Sequence, residues 1–235
     1  MNKIIILVFL LIIHTTGIAQ KTQTNKNKVS FRKQNVSISK EQINQLKNGA
    51  LLIRLKTKMN SIAALKKIGK NKLAAKVEKN QADYNLSIIS AFRANFNFCP
   101  TYFFFSGFST NIRERQFNKV VFLNDSLLPD TTLKFKKTSF LTAEFGTIQQ
   151  DTAKYFSHYS YEPNAKLSVK RVKNYYGGPN MGFAALIINS DKFVQLRRPF
   201  PYYVRTFESL PIERSVNKAV RKMNKKLYKY YRQRN

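Results

Sequence analysis

Apolar residues in this chain fall into short runs separated by polar turns, and this pattern predicts a β-sheet. The most continuous runs lie at residues 101–107 and 120–125, with a polar turn and a short helix near Asn111 between them. A strand that is apolar on both faces needs cover on both sides, as central strands have. We therefore expect these two strands to lie together at the centre of the sheet.

A strand at residues 50–55 and a long helical segment precede this pair. Helical periodicity covers residues 61–68 and, beyond a break at Gly69, an apolar stripe that continues to Phe96. The stripe consists of Leu73, Val77, Tyr84, Ile88, Ala91 and Phe92. A strand, a helical excursion and a second strand predict a right-handed, parallel βαβ crossover, which the strand at 120–125 would extend.

Beyond Asp125 the apolar runs are shorter and alternate with polar residues, which predicts antiparallel strands joined by turns. These runs lie at residues 133–137, 140–148, 153–161, 167–172, 183–188 and 193–196. A glycine-rich loop at 175–182 interrupts them. The predicted fold class is α/β to α+β, with a parallel βαβ N-terminal half, antiparallel C-terminal strands, a long helical hairpin and a basic C-terminal helix.

The C-terminal helix has the clearest amphipathic pattern in the chain. Its apolar stripe consists of Val216, Val220, Met223, Leu227 and Tyr230. Its opposite face consists of Lys218, Arg221, Lys222, Lys225, Lys226, Lys229 and Arg232. Ser215 is placed to cap the start of the helix. Either the stripe docks on the sheet with its lysines in solvent, or the helix lies on an anionic membrane or nucleic acid.

The first residues predict an export signal. One charge, Lys3, precedes an apolar run at 4–13, which is too short to span a bilayer, since about 20 residues are needed. Small residues at Gly17 and Ala19 suit a signal peptidase, so we expect cleavage after residue 19, the alternative being an uncleaved anchor. A mature protein of this kind is periplasmic or secreted.

The predicted mature chain consists of a flexible leader and a single domain. Residues 20–40 are polar and are expected to form the leader, and residues 41–235 are expected to form one mixed α/β domain. A short helix is predicted to start at Ser39 and to end at Asn48-Gly49, where the glycine supplies a left-handed C-cap.

The charge balance is strongly basic, with 42 Lys and Arg against 12 Asp and Glu, a formal charge of +30. Removing Lys3 with the signal leaves +29, from 41 basic and 12 acidic residues. Such a surface predicts an anionic partner, namely a membrane surface, lipopolysaccharide or nucleic acid. The alternative is a generally basic surface with no specific partner.

Two cationic segments are candidates for binding an anion, because arginine binds phosphate and carboxylate groups in a bidentate manner. The candidate anion-binding residues are Arg197, Arg198, Arg205, Lys222 and Lys226. In the alternative interpretation, the arginines neutralise carboxylates of the chain itself, namely Glu144, Glu208 or Asp191.

Few residues suit catalysis. The weak catalytic candidates are Asp125, Glu144 and His158, and two acids converging on one cleft at the sheet end would suit a hydrolase. An ion pair is the alternative for Glu144. Nucleotide-binding, nucleophile-elbow and metalloprotease motifs are lacking, and with one histidine left in the mature chain we expect no metal site and no cofactor. The lone Cys99 is expected to be a buried, inert thiol.

Loops offer a last set of candidates for binding. The loop candidates are Ser109, Asn111, Tyr175, Tyr176 and Asn180. The first two follow a predicted strand, where ligands of parallel sheets bind. The aromatic loops at 175–182 and 202–203 would suit a partner protein.

Several motifs together resemble a known group of proteins. They are Asn97-Phe98-Cys99-Pro100 with Tyr102-Phe103-Phe104, Phe122-Leu123-Asn124-Asp125, Ala143-Glu144-Phe145-Gly146, Tyr175-Tyr176-Gly177-Gly178-Pro179-Asn180-Met181-Gly182-Phe183 and Pro199-Phe200-Pro201-Tyr202-Tyr203-Val204-Arg205-Thr206. From Glu41 to the C-terminus the chain resembles a family of small exported proteins of Bacteroidetes-type bacteria. The resemblance implies export and a shared fold, but no activity. We therefore expect a non-enzymatic exported protein of the cell envelope that contacts an anionic surface or partner.

Overall fold

The computed structural model describes residues 33–148, 183–206 and 214–234 in full, and the backbone of two further strands. The helices are α1 (33–48), α2 (Met59–Lys67), α3 (Asn71–Asn95), α4 (Ser109–Arg113) and α5 (Val216–Arg234). The strands are β1 (Ala50–Leu55), β2 (Thr101–Phe105), β3 (Phe122–Leu123), β4 (Phe140–Thr147), β5 (Ala153–Ser160), β6 (Ser168–Tyr175), β7 (Ala184–Asn189) and β8 (Tyr203–Arg205). The predicted mixed fold, with its helical hairpin and C-terminal helix, is confirmed.

The main sheet has six strands in the order β3-β2-β1-β4-β7-β8. β1 pairs in parallel with both β2 and β4, whereas β3, β7 and β8 join their neighbours in antiparallel fashion. The central strands are therefore β1 and β4, and the prediction that residues 101–107 and 120–125 form the centre is wrong. β1 is as apolar as β2, so the apolar pattern alone does not show which of the two strands is more central in the sheet.

β3 is a two-residue edge strand that runs antiparallel to β2, contrary to the predicted parallel extension. The connection between the two strands holds only the five-residue α4 and two turns of 3₁₀ helix. A parallel pair requires a connection that brings the chain back to the starting end of the first strand. Such short helical elements do not cover that length. The chain therefore turns back directly.

Helices cover one face of the sheet. A large apolar core on this face joins α1, α3 and α5 to the sheet through fully buried side chains such as Leu46, Phe92 and Leu227. Phe92 contacts Phe103 of β2 edge-on, with ring centroids 6.2 Å apart. We call this side of the sheet the helical face.

The opposite face is covered by α4 and by irregular chain. Ile112 is fully buried there, and Phe117 and Leu133 pack around it. The strand predicted at 133–137 is wrong, because these residues form no ladder. Phe135 instead caps this face, and its ring centroid lies 5.6 Å from that of Phe140 in β4. An irregular segment that covers an apolar sheet face and a β-strand contain similar residue types. This similarity explains why residues 133–137 are predicted as a strand.

The antiparallel strands predicted beyond Asp125 are confirmed in part. β4, β7 and β8 form an antiparallel series, and β5 and β6 pair as a separate two-stranded hairpin. The predicted run at 193–196 contributes only one isolated bridge, between Asn189 and Gln195. The glycine-rich loop lies mostly outside the described residues, at 176–182.

α1 starts earlier than predicted. The helix is continuous from residue 33, so the leader predicted for 20–40 is wrong for its last part, and the signal predicted at 1–19 lies outside the described residues. Ser39 is not a cap but lies inside the helix, 3% exposed. It shares the buried face with Ile43 and Leu46, both fully buried. Packing on the sheet thus holds a polar segment in helical form.

α1 ends at Asn48 as predicted, but for a different reason. Gly49 does not adopt a left-handed conformation. A β-carbon at Gly49 would overlap the carbonyl oxygen of Ser139 and lie 2.6 Å from that of Gln45. Glycine is therefore required by close backbone contact between α1, β1 and the segment before β4.

The apolar stripe predicted for α3 is half right. Ile88, Ala91 and Phe92 are buried, but Leu73 is 46% exposed and Tyr84 is 37% exposed. In this first half, Ala74 and the polar residues Gln81 and Asn85 are buried instead. The reason is that this part of α3 packs against α2.

α5 docks on the sheet, which decides between the two interpretations of its apolar stripe. Val220, Met223 and Leu227 are fully buried in the core of the helical face, and Val216 packs against it. The stripe is therefore not available to a membrane. Among the described helices, moreover, none has a window apolar and uncharged enough to cross a bilayer.

Candidate anion-binding site

Cations from the β8 region and from α5 with the residues just before it lie around Tyr203 and Lys226, at the edge strand β8. These cations are Arg198, Arg205, Arg214, Lys222 and Lys226. We call them, with Tyr203, the Tyr203 cationic cluster. Four of the five anion-binding residues predicted from sequence belong to it, and the fifth, Arg197, is exposed on the same loop as Arg198.

The cluster closes the outer edge of the sheet. Lys226 donates its Nζ proton to the carbonyl oxygen of Tyr203 at 3.0 Å, and Arg214 donates to the carbonyl oxygen of Arg205. Arg198 also donates to the Tyr203 hydroxyl at 3.4 Å. Charged side chains thus take the place of a further strand, a common protection of exposed edges.

The charges in the cluster act on one another. The pKa of Lys226 is lowered by burial first, then by neighbouring Lys222, with further contributions from Arg214 and Arg198. The pKa of the Tyr203 hydroxyl is lowered mainly by its hydrogen bond from Arg198. A positive potential lowers the pKa of a lysine and of a tyrosine alike, because it disfavours the ammonium ion and favours the phenolate.

The alternative role for the arginines, neutralising nearby carboxylates, is wrong for two of the three proposed partners. Within the described parts of the chain, Glu144 pairs with Arg54 at 2.9 Å and Asp191 pairs with Arg115 at 2.9 Å. The third proposed partner, Glu208, lies outside the described residues.

Asp125 and Glu144 do not share a cleft. Asp125 pairs with Arg93 at 2.7 Å, and the Arg93 guanidinium lies over the Phe103 ring on the helical face. The Arg54 partner of Glu144 lies near Phe193, which packs on the opposite face. The expected ion pair at Glu144 is confirmed, and the two carboxylates lack the common cleft that a hydrolase built on them requires.

Ser109 and Asn111 follow β2 as predicted, but both serve local structure. Ser109 Oγ accepts a hydrogen bond from Arg54 Nε at 2.9 Å and donates to the carbonyl oxygen of Ser106 at 2.6 Å. Asn111 donates its side-chain amide to Gln116 at 3.3 Å. Ser109 therefore helps to orient Arg54 towards Glu144.

The remaining sequence candidates lie in or beside the β5–β6 hairpin. His158 is opposite Lys170 and Tyr175 is opposite Ala153, in a hairpin whose backbone alone is described. Tyr176 and Asn180 lie outside the described residues. Where side chains are described, no group of three His, Cys, Asp or Glu residues suits a metal ion.

Cys99 is expected to resist thiol reagents in the folded protein. It is 9% exposed, and burial raises the pKa of its thiol from 9.0 to about 12. Because the thiolate is the reactive form, a rise of about three pH units lowers its population about a thousandfold. Labelling with Ellman's reagent at about pH 8 should be slow without denaturant and complete within minutes in about 6 M guanidinium. Rapid labelling of the native protein would contradict this burial.

Arg214 and the central position of Tyr203 are not predicted from the sequence. Arg214 directly precedes Ser215, whose Oγ accepts a hydrogen bond from Lys218 N at 3.4 Å, so the predicted cap is confirmed. No periodicity marks a residue just before a helix. The sequence signal that could have identified Tyr203 is the pairing of aromatic and cationic residues in the 202–205 segment.

Comparison with known proteins gives no match. No family model matches the chain, and neither does a curated protein or a solved structure. The resemblance to a family of exported proteins therefore stays a prediction.

Proposed function

We propose that this chain is an exported, non-enzymatic protein of the cell envelope that binds an anionic surface through α5 and the Tyr203 cationic cluster. The observation that carries the proposal is the convergence of two cationic segments, distant in sequence, on one edge of the sheet. Arg198 and Arg205 come from the β8 region, and Lys222 and Lys226 come from α5. This convergence places predicted anion-binding residues side by side.

The outer face of α5 extends the cluster into a longer cationic surface. Its exposed cations are Lys218, Arg221, Lys222, Lys225, Lys229 and Arg232. The helix carries no acidic residue. Because the apolar stripe is buried in the core, contact with a partner would be electrostatic and would need no insertion into a bilayer.

Mutual repulsion within the cluster favours an anion. Lys226 is held close enough to Lys222 and Arg214 for these charges to lower its pKa, in addition to the effect of burial. An anion that binds beside Lys226 relieves this repulsion and is therefore attracted.

The length of the surface favours a partner with many negative groups. A helix of 19 residues is about 28 Å long at 1.5 Å per residue. One small anion contacts only a part of that length, whereas a bilayer with anionic lipids offers negative groups along all of it. Such a bilayer also agrees with the predicted export, which would bring the protein to an envelope membrane.

Vesicle binding tests the proposal. The mature chain, from Gln20 onwards, should sediment with vesicles containing phosphatidylglycerol and not with pure phosphatidylcholine. The triple variant Lys222→Gln, Lys225→Gln, Lys229→Gln should bind about a hundredfold more weakly, because each lysine near an anionic surface contributes about 1 kcal/mol. Binding should also fall steeply between low and physiological salt.

A matched control has the same net charge. Lys67, Lys72 and Lys76 are exposed on the α2–α3 hairpin, and replacing these three by glutamine should change vesicle affinity by less than about threefold. Equal losses in both triple variants would show that only net charge matters and would refute this surface. Preference for single-stranded DNA over vesicles would identify nucleic acid as the partner instead.

The export part of the proposal is tested separately. It rests on the apolar run at 4–13 and on Gly17 and Ala19 before the predicted cleavage site. Mass spectrometry of protein recovered from an envelope fraction should give an N-terminus at Gln20. An intact Met1 on material from the cytosol would contradict export.

A further inference from the structure

The order of the strands creates a topological switch at the centre of the sheet. From β1 the chain passes through α2, and then through α3 on the helical face, to β2 on one side. From β3 it returns across the opposite face, through the segment that holds Phe135, to β4 on the other side of β1. In open sheets of this kind, ligands bind in the crevice beyond the carboxyl ends of the two strands where the direction changes.

A cleft of about 400 Å³ lies at that point, between the carboxyl ends of β1 and β4. Arg54, Lys56 and Lys58 line it from β1 and the following loop, and Gly146 lines it from β4. We call it the carboxyl-edge cleft. Its volume is within the range of small-molecule sites, about 300–1,000 Å³.

The cationic groups of the cleft match a doubly charged anion. The charge of Arg54 is balanced by Glu144, which lies 2.9 Å away. Lys56 and Lys58 are exposed and take part in no ion pair within the described part of the chain. Two such ammonium groups complement a phosphate monoester, which carries a charge of about −1.5 to −2 at pH 7.

The wall facing the lysines is partly aromatic. Tyr84 is 37% exposed, and its ring meets that of Phe145 edge-on with 6.1 Å between the centroids. Both residues line the cleft, together with the apolar side chains of Ile88 and Ala184. This wall suits the organic part of a ligand.

Buried amides hold the mouth of the cleft in place. Gln81 donates its side-chain amide to Asn85 at 3.0 Å, and Asn85 donates to the carbonyl oxygen of Lys56 at 2.9 Å. Gln81 and Asn85 are only 7% and 2% exposed. Buried polar groups that hydrogen-bond in this way fix the backbone that carries Lys56, so that the site is formed before a ligand arrives.

We propose that the carboxyl-edge cleft binds a small phosphate monoester, with the phosphate at Lys56 and Lys58 and the organic part against Tyr84 and Phe145. The site shares no residue with the Tyr203 cationic cluster. It is therefore a second binding site, and it goes beyond the function proposed above.

Phenyl phosphate is a suitable probe, because it combines a phosphate dianion with a ring. In a titration of the mature, ¹⁵N-labelled chain followed by NMR, the amides of residues 54–58 and 145–147 should shift and saturate below about 10 mM ligand. Inorganic phosphate and phenol, which each supply half of the probe, should bind at least about tenfold more weakly. Shifts confined to α5, or the absence of saturation, would overturn the proposal.

Two kinds of variant separate charge from shape. Lys56→Met with Lys58→Met should weaken phenyl phosphate binding about tenfold or more, whereas the control Lys72→Met with Lys76→Met should stay within about twofold.

Gly146→Val keeps every charge but fills the cleft, since a β-carbon at Gly146 already lies 3.8 Å from Lys56 Nζ. It should also reduce binding about tenfold. Equal effects of the two lysine pairs would overturn the site, whatever the outcome of the vesicle experiment.

Discussion

Replacing Phe103 by alanine is expected to lower the free energy of unfolding by about 3–5 kcal/mol. Phe103 is fully buried in β2, under Phe92 of α3, and the Arg93 guanidinium lies 5.0 Å from its ring centroid. Alanine leaves a cavity between the sheet and α3 that rigid neighbours on both sides do not fill. Chemical denaturation followed by circular dichroism would measure the loss.

Leu73→Ala is the matched control for this core substitution. Leu73 belongs to the apolar stripe predicted for α3, but it is 46% exposed. Its truncation should cost less than about 1 kcal/mol. If Leu73→Ala were as destabilising as Phe103→Ala, the first half of α3 would have to pack in the core, contrary to the described structure.

Gly49→Ala is expected to have the second largest effect and to lower the free energy of unfolding by about 3 kcal/mol. This value is at the upper end of the range for adding a methyl group to a packed site. The added methyl group would meet the carbonyl oxygens of Ser139 and Gln45. Backbone atoms do not move aside as the end of a long side chain does, so α1 would have to shift from β1. A lower midpoint of thermal or urea unfolding would show this effect.

Two other glycines separate steric overlap from backbone conformation. Gly69 has a φ of 74° and open space around it, so Gly69→Ala should cost about 1 kcal/mol through conformation alone. Gly107 has open space and no positive φ, so Gly107→Ala should stay within about 0.5 kcal/mol. A benign Gly49→Ala, equal to Gly107→Ala, would contradict the close contact at Ser139.

The residue types of the Tyr203 cationic cluster can be predicted from the sequence, but their convergence cannot. The sequence predicts anion-binding residues among the cations of residues 197–205 and among those of α5. Their meeting depends on two tertiary events, the pairing of β8 with β7 and the docking of α5 beside β8. Neither leaves a periodic signal, because each depends on contacts between residues far apart in the chain.

The sequence predicts that a ligand site lies at the carboxyl ends of the strands, but it does not predict the position of the carboxyl-edge cleft. A parallel centre predicts a ligand site beyond the carboxyl ends of strands, and from the sequence this site is expected at Ser109, Asn111 and Asp125, after β2 and β3. The structure places the cleft between β1 and β4, because β4 enters the sheet in parallel beside β1. Lys56 and Lys58 become its lining only through that pairing.

The local elements of this protein are readable from its sequence: the helical hairpin, the amphipathic α5, most strands and the cationic surface. These follow from periodicity, turn residues and composition, which act over a few neighbouring residues. The order of the strands, the partner of each arginine and the grouping of cations at Tyr203 follow from tertiary packing instead. Equally apolar strands compete for the same neighbours, and their final arrangement depends on how all of them pack together.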